Sequence, residues 1–241
     1  MTDHNGWPIE APTLLAEIAA DNTLEFWRAN RERHEELVLA PMRELAVALA
    51  VDFGQLRVLR PQVNRRFRPE VPPFRTDTGG VATTGGGSLL GVVLSATALS
   101  ASGGIWGFDR AQLQRFRAAV DGPPGADLEA VLTATPGFEV HRGRALASAP
   151  RGWSSGHPRI ALLRHRGLQL TRSWELGPWL ESGEPLRRVR AAWHALAPLL
   201  GWLDEHVGAA DPVAARPRPA PAAEVQPAAS AESTSDTSRS A

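Results

Sequence analysis

The chain has 241 residues, 43% of them hydrophobic, and its 26 basic and 26 acidic side chains balance to zero net charge. That length suits one large domain or two small ones, with enough apolar material for a sizeable core. It contains no Cys, Tyr or Lys, and every cation is an Arg. This excludes disulfides, thiolate chemistry, Cys-ligated zinc, Lys Schiff bases and a phosphate-loop Lys.

The N-terminal residues 1–10 carry no basic-then-apolar signal. The longest apolar stretch, 89–101, is too short to span a bilayer. The expected location is therefore cytoplasmic, with no membrane partner.

In chain order, residues 11–20 predict a short helix with Pro12 in its first turn, where a missing N–H costs nothing. Asn22 followed by Glu25 predicts a capped restart. Leu24, Trp27, His34, Leu37 and Val38 give the next helix an apolar stripe, with His34 as a packed residue. Pro41 predicts a kink or a new helix, and Leu45 and Leu49 continue the face to about Val51. Residues 57–60 read as a short strand and 61–78 as an ordered, irregular loop. Gly79 to Gly87 reads as a mobile Gly/Thr run. Residues 89–99 and 102–108 predict two antiparallel strands. Asp109 should cap a helix bearing Leu113, Phe116 and Val120. A turn at 122–125 precedes a helix over 126–133. Short strands are expected at 138–140 and 145–148, a helix over 158–165 stopped by Gly167, and a strand over 168–174. One last helix is expected over 184–206.

Helices lead, strands cluster in the middle, and no βαβ period appears. The predicted fold class is α+β, with an N-terminal helical hairpin, a central mainly antiparallel sheet and a C-terminal helix. Residues 1–208 form the expected domain. Residues 209–241 are rich in Ala, Pro and Ser and too poor in apolar side chains to offset their ordering entropy, so they read as a disordered tail.

Charge is unevenly spread. Residues 10–52 are acidic overall, whereas 57–75 hold six Arg against Glu70 alone, and 140–174 hold seven Arg, three His and no acid. These blocks either pair with the acidic helices or form a groove for an anion. The stretch Gly152-Trp153-Ser154-Ser155-Gly156 matches the G-x-S-x-G nucleophile elbow, but a downstream acid and His occur only together, as Asp204 and His206. The His spacings do not make a metal set, and no metal or cofactor is expected. Gly79-Gly80 and Gly85-Gly86-Gly87 lack a phosphate-loop pattern. Aromatics are sparse among the Arg runs, so a nucleic-acid partner is disfavoured.

Three blocks together resemble a bacterial and fungal family, the domain of unknown function 2461. They are Asn22-x-x-Glu25-Phe26-Trp27-x-x-Asn30-Arg31 with Pro41; Arg60-Pro61, Arg66-Phe67 and Pro73-Phe74-Arg75-Thr76; and Pro150-Arg151-Gly152-Trp153, His157-Pro158-Arg159 and Leu162 to Leu168. Several polar positions of the family pattern differ. Val63-Asn64 stands for Arg-Asp, Glu70-Val71 for Asp-Lys, Phe74 and Arg75 for Tyr and Lys, and Gly156 for Asp. The resemblance implies one α+β domain and no established reaction. It directs attention to the two Arg-rich blocks.

The candidate ligand-binding residues are Arg60, Arg66, Arg75, Arg151 and His157, gathered in one cleft around a small phosphorylated or carboxylated ligand. Guanidinium groups match such oxygens in bidentate geometry, and His157 would be the acid–base group. The alternative is a non-enzymatic interaction or scaffold protein that has lost the family's polar site. The sequence names no protein partner.

Overall fold

The computed structural model describes residues 4–66, 70–141 and 145–211. Helix α1 (Glu10–Ala20) is followed by α2 (Leu24–His34). The cap of α2 is not Asn22 but Thr23, whose side chain accepts the Phe26 N–H. After His34 the chain widens into a π-turn (Glu35–Leu39) and re-enters an α-helix, α3 (Ala40–Phe53), with Pro41 in its first turn. A π-turn leaves a carbonyl without its helical partner. Here the indole N–H of Trp7 donates to the buried Val38 carbonyl at 3.1 Å.

Six strands follow: β1 (Arg57–Val58), β2 (Thr78–Thr83), β3 (Leu89–Leu94), β4 (Ala98–Ile105), β5 (Glu139–Val140) and β6 (Leu168–Glu175). They form one sheet in the order β1-β2-β3-β4-β6-β5, every neighbour antiparallel. With the helices that flank it, this is the α+β fold expected.

Several local expectations are corrected. The Gly/Thr run is half strand: Thr78, Gly79 and Gly80 are buried in β2, and a Cβ on Gly79 would stand 2.7 Å from the Val92 carbonyl oxygen. Close approach, not mobility, explains Gly79. The 89–99 strand ends at Leu94, because Ser95 takes the Ala98 N–H onto its hydroxyl and turns the chain. Residues 145–148 form no strand, and the 158–165 helix shrinks to α6 (Ile160–Leu163). The long last helix is two, α7 (Glu184–Ala195) and α8 (Ala197–His206), divided where Pro198 starts the second. Helix α4 (Arg110–Asp121) starts on the expected Asp109 cap, completed by Gln112 into a capping box; α5 (Pro124–Thr133) follows. The tail from 212 onward lies outside the described residues, as does Phe67. Residues 209–211 are held: the Ala209 carbonyl accepts from Arg115, and the Asp211 N–H donates to Asp109.

The register gives the sheet two unlike faces, because paired residues share a side. One carries Leu90, Val92, Leu94, Leu99, Ala101, Leu168 and Leu170, all buried. Helices α3, α7 and α8 pack on it, with Leu196 against Gly103. The other carries Gly91, Ser100, Ser102, Gly104, Gln169, Thr171 and Ser173, and all but Gly104 are half-buried or exposed. Among the described residues, no helix is long and apolar enough to cross a membrane.

Candidate functional site

The first two family blocks meet at one corner of the sheet. Asn22 turns away from its own helix and clamps the Phe74 backbone: its amide donates to the Phe74 carbonyl (3.0 Å), and its oxygen accepts the Phe74 N–H (2.9 Å). The Trp27 ring stacks on Phe74 with centroids 4.4 Å apart and planes 10° apart, and touches His34 on its other side. Arg75, next in the chain, donates to Asp77 at 2.7 Å, both side chains being nearly buried. This corner is an internal fastener between α2 and the 61–77 loop. Its polar groups are consumed by one another.

The third block packs around the end of α4. His157 Nδ1 accepts the Arg159 N–H (3.0 Å), so the ring proton sits on Nε2 and points to Asp121 Oδ1 (3.1 Å). Both ring nitrogens are engaged in hydrogen bonds within this block. Arg159 is tied to Glu129 and to the Val120 and Gly122 carbonyls. Ser154 lies in an exposed turn, its hydroxyl accepting the Gly156 N–H, and the described residues 145–153 before it hold no strand. The elbow is not built.

The five candidate residues thus fall in two places. Arg60, Arg66 and Arg75 belong to the loop that enters the sheet at Thr78. That end of the sheet is marked by Leu94, Leu99 and Trp174. Arg151 and His157 belong to the segment that leads into α6 and then Leu168, the opposite end of β6. Strand β2 is three spacings from β6, about 14 Å, and Trp174 is about 20 Å along the strand from Leu168. The sheet anchors hold the blocks at diagonal corners. Arg60, Arg66 and Arg151 are exposed; Arg66 N–H donates to Asn64.

Sequence reasoning missed a different group at the Leu168 corner. Arg117, on α4, is half-buried and donates from Nε to the Leu163 carbonyl at 3.2 Å. Burial, and then the positive charge of Arg166, push its pKa down. Arg164 lies just before Arg166, and its Nε is buried without an acceptor. Among the described residues, no carboxylate forms a salt bridge with Arg117, Arg164 or Arg166. The acid-free 140–174 stretch was the signal, but only the fold shows which of its Arg stay unneutralised. By contrast, a concavity of about 340 Å³ along α7 is lined by Arg187 and Arg190, which pair with Glu184 and Asp52.

An α+β domain whose recurring sequence blocks fasten α2 to the β2 loop and α4 to the β6 approach is the class that emerges. The family described as conserved hypothetical protein (DUF2461) matches residues 10–202, and the chain belongs to it. No curated protein matches the chain.

Proposed function

We propose that this is a cytoplasmic protein that binds a small anionic ligand, phosphorylated or carboxylated, at the corner where α4, α6 and the start of β6 meet. One observation carries the reading: burial and then the charge of nearby Arg166 push down the pKa of Arg117, and among the described residues no carboxylate forms a salt bridge with either. Like charges held together at a cost in free energy favour an anion that relieves the repulsion. Arg164, with a buried Nε donor lacking a partner, supplies a third guanidinium in the same stretch. Planar forks of this kind suit phosphate and carboxylate oxygens. Arg151, exposed in the segment before α6, remains a rim candidate. Arg60, Arg66 and Arg75 belong to the other corner and are not part of the reading.

Thermal unfolding with inorganic phosphate, pyrophosphate and citrate tests it. A ligand at about 100 times its Kd adds about 2.7 kcal/mol of stability. The upward shift in Tm should vanish in Arg166→Gln and Arg164→Gln and persist in Arg60→Gln. An equal shift in all four proteins, or none in the native chain, refutes the assignment.

A second reading is a non-enzymatic interaction protein whose family polar positions now serve only the fold. The Arg75–Asp77 pair and the committed His157 support it. Silence toward every anion, with the fold intact, favours it.

A further inference from the structure

The register can be followed from one edge of the sheet to the other. On the face away from α3, α7 and α8, one row joins Arg57, Val81, Gly91, Ser102, Thr171 and Glu139, one from each strand. A second row joins Gly79, Val93, Ser100 and Ser173. A third joins Thr83, Leu89, Gly104 and Gln169. At the end of the third row the His141 N–H donates to the Gln169 carbonyl, and its ring stacks on Trp106 with centroids 4.4 Å apart. The Leu90 face is buried under helices, whereas Val81, Leu89, Val93, Ser102 and Thr171 are only half-buried. Unlike its opposite, this face is apolar and neutral in part yet has no helix packed on it.

Its charge lies at the margins. Within the three rows the only acid and the only Arg are Glu139 and Arg57, at opposite ends of one row and exposed. Glu175 lies beyond the rows, at the end of β6. Five strand spacings, about 24 Å, separate Arg57 from Glu139, so they cannot pair within one chain. Among the described residues neither forms a salt bridge. A neutral centre ringed by charge is the composition of an interface.

The order of the row says which partner fits. Sheets stack face to face with their strands aligned to within about 30°. A two-fold axis in the contact plane, along the strands and between β3 and β4, exchanges the two edges. It sets Arg57 of each copy over the partner's Glu139, and Gly91 over the partner's Ser102 at the centre. The row is therefore complementary to itself, as a two-fold interface requires. A face of about 24 Å by 20 Å, covered on both copies, amounts to roughly 1,000 Å², where specific interfaces begin.

We infer that this face is the contact of a homodimer, two copies packed sheet on sheet. Val81, Leu89 and Val93 are in the contact, and an Arg57–Glu139 pair closes each edge.

Sedimentation equilibrium of the full chain at low salt tests it. The mass should rise from one chain to two, with a Kd of about 1–100 μM. Arg57→Glu and Glu139→Arg each set like charges opposite one another at both edges and should weaken the dimer about tenfold. The double variant exchanges the charges and should recover the native Kd to within about threefold. Such a rescue arises only between copies. Ser102→Arg, at the centre, should abolish the dimer. A single-chain mass up to about 300 μM overturns the inference. So does a dimer that ignores Ser102→Arg, or a double variant no tighter than either single one.

Discussion

The two Arg-rich corners of the sheet use the same side chain for opposite ends. At the β1–β2 corner, Arg75 is nearly buried against Asp77, beside a loop pinned by Asn22 and stacked on Trp27. At the α4–β6 corner, Arg117, Arg164 and Arg166 stand without a carboxylate partner among the described residues. A guanidinium that has found its acid contributes to folding and has little left to offer a ligand. One held beside another cation weakens the fold slightly and keeps its donors available. The difference lies in what surrounds each Arg, and substitutions at the two corners should separate cleanly.

The largest expected effect comes from Trp27→Ala. It removes a buried ring from between Phe74 and His34 and should cost about 3–5 kcal/mol, read as a lower urea midpoint. Anion binding at the far corner should survive in whatever fraction remains folded. If binding is lost in proportion to the guanidinium variants, the corners are not independent.

Acid should come next. Burial lowers the pKa of His4 from 6.5 to about 4, and burial likewise lowers His34 to about 4 against the opposing pull of Glu35. Both depressed values mean that the unfolded chain takes up protons first. Stability is full above pH 6.5 and falls as pH drops from 6.5 toward 4, by on the order of 3 kcal/mol per His. Urea midpoints measured across that window should decline. His4→Phe should flatten part of the slope, and an unchanged slope would contradict the assignment.

Breaking the paired cation is expected to matter less than the Trp. Arg75→Ala leaves Asp77 nearly buried without its counterion and should cost about 3 kcal/mol. Arg166→Gln, at an exposed site, should stay within about 0.5 kcal/mol of the native chain. A reversal of that order would collapse the contrast between the corners. Asn22→Ala should be milder than Arg75→Ala, about 1–2 kcal/mol for two backbone hydrogen bonds that lose their side-chain partner.

Local signals were readable in the sequence wherever the partner was near. The Asp109 cap, the stripe of Phe116 and Val120, and the alternation of β6 needed only a few neighbouring residues. The Gly79-Gly80 run misled because glycine marks both a loose turn and a backbone pressed against a neighbour. The neighbour, Val92, is another strand's residue. Asn22 misled for the same reason: a capping residue in its own sequence context serves Phe74, 52 positions away. The break between α7 and α8 was visible in Pro198. The apolar period running through it concealed the division.

The candidate site was less legible than the fold. An excess of Arg in 140–174 was plain, yet the identity of the unpaired ones depends on α4, which brings Arg117 to Arg166 from 49 positions upstream in the chain. The stack of Trp106 on His141 has no sequence signature at all, since the two residues meet only through the β4–β6–β5 order.

The turn between β2 and β3 is closed from far downstream. Asp204, near the end of α8, accepts hydrogen bonds from Ser88 (2.9 Å) and Thr84 (3.4 Å), and any side chain at Gly86 would collide with it. A ribosome adding about 5–20 residues per second needs roughly ten seconds to go from Ser88 to Asp204. For that interval the nascent hairpin lacks its latch, and early termination before α8 would release chains with the strands present and the turn unsecured.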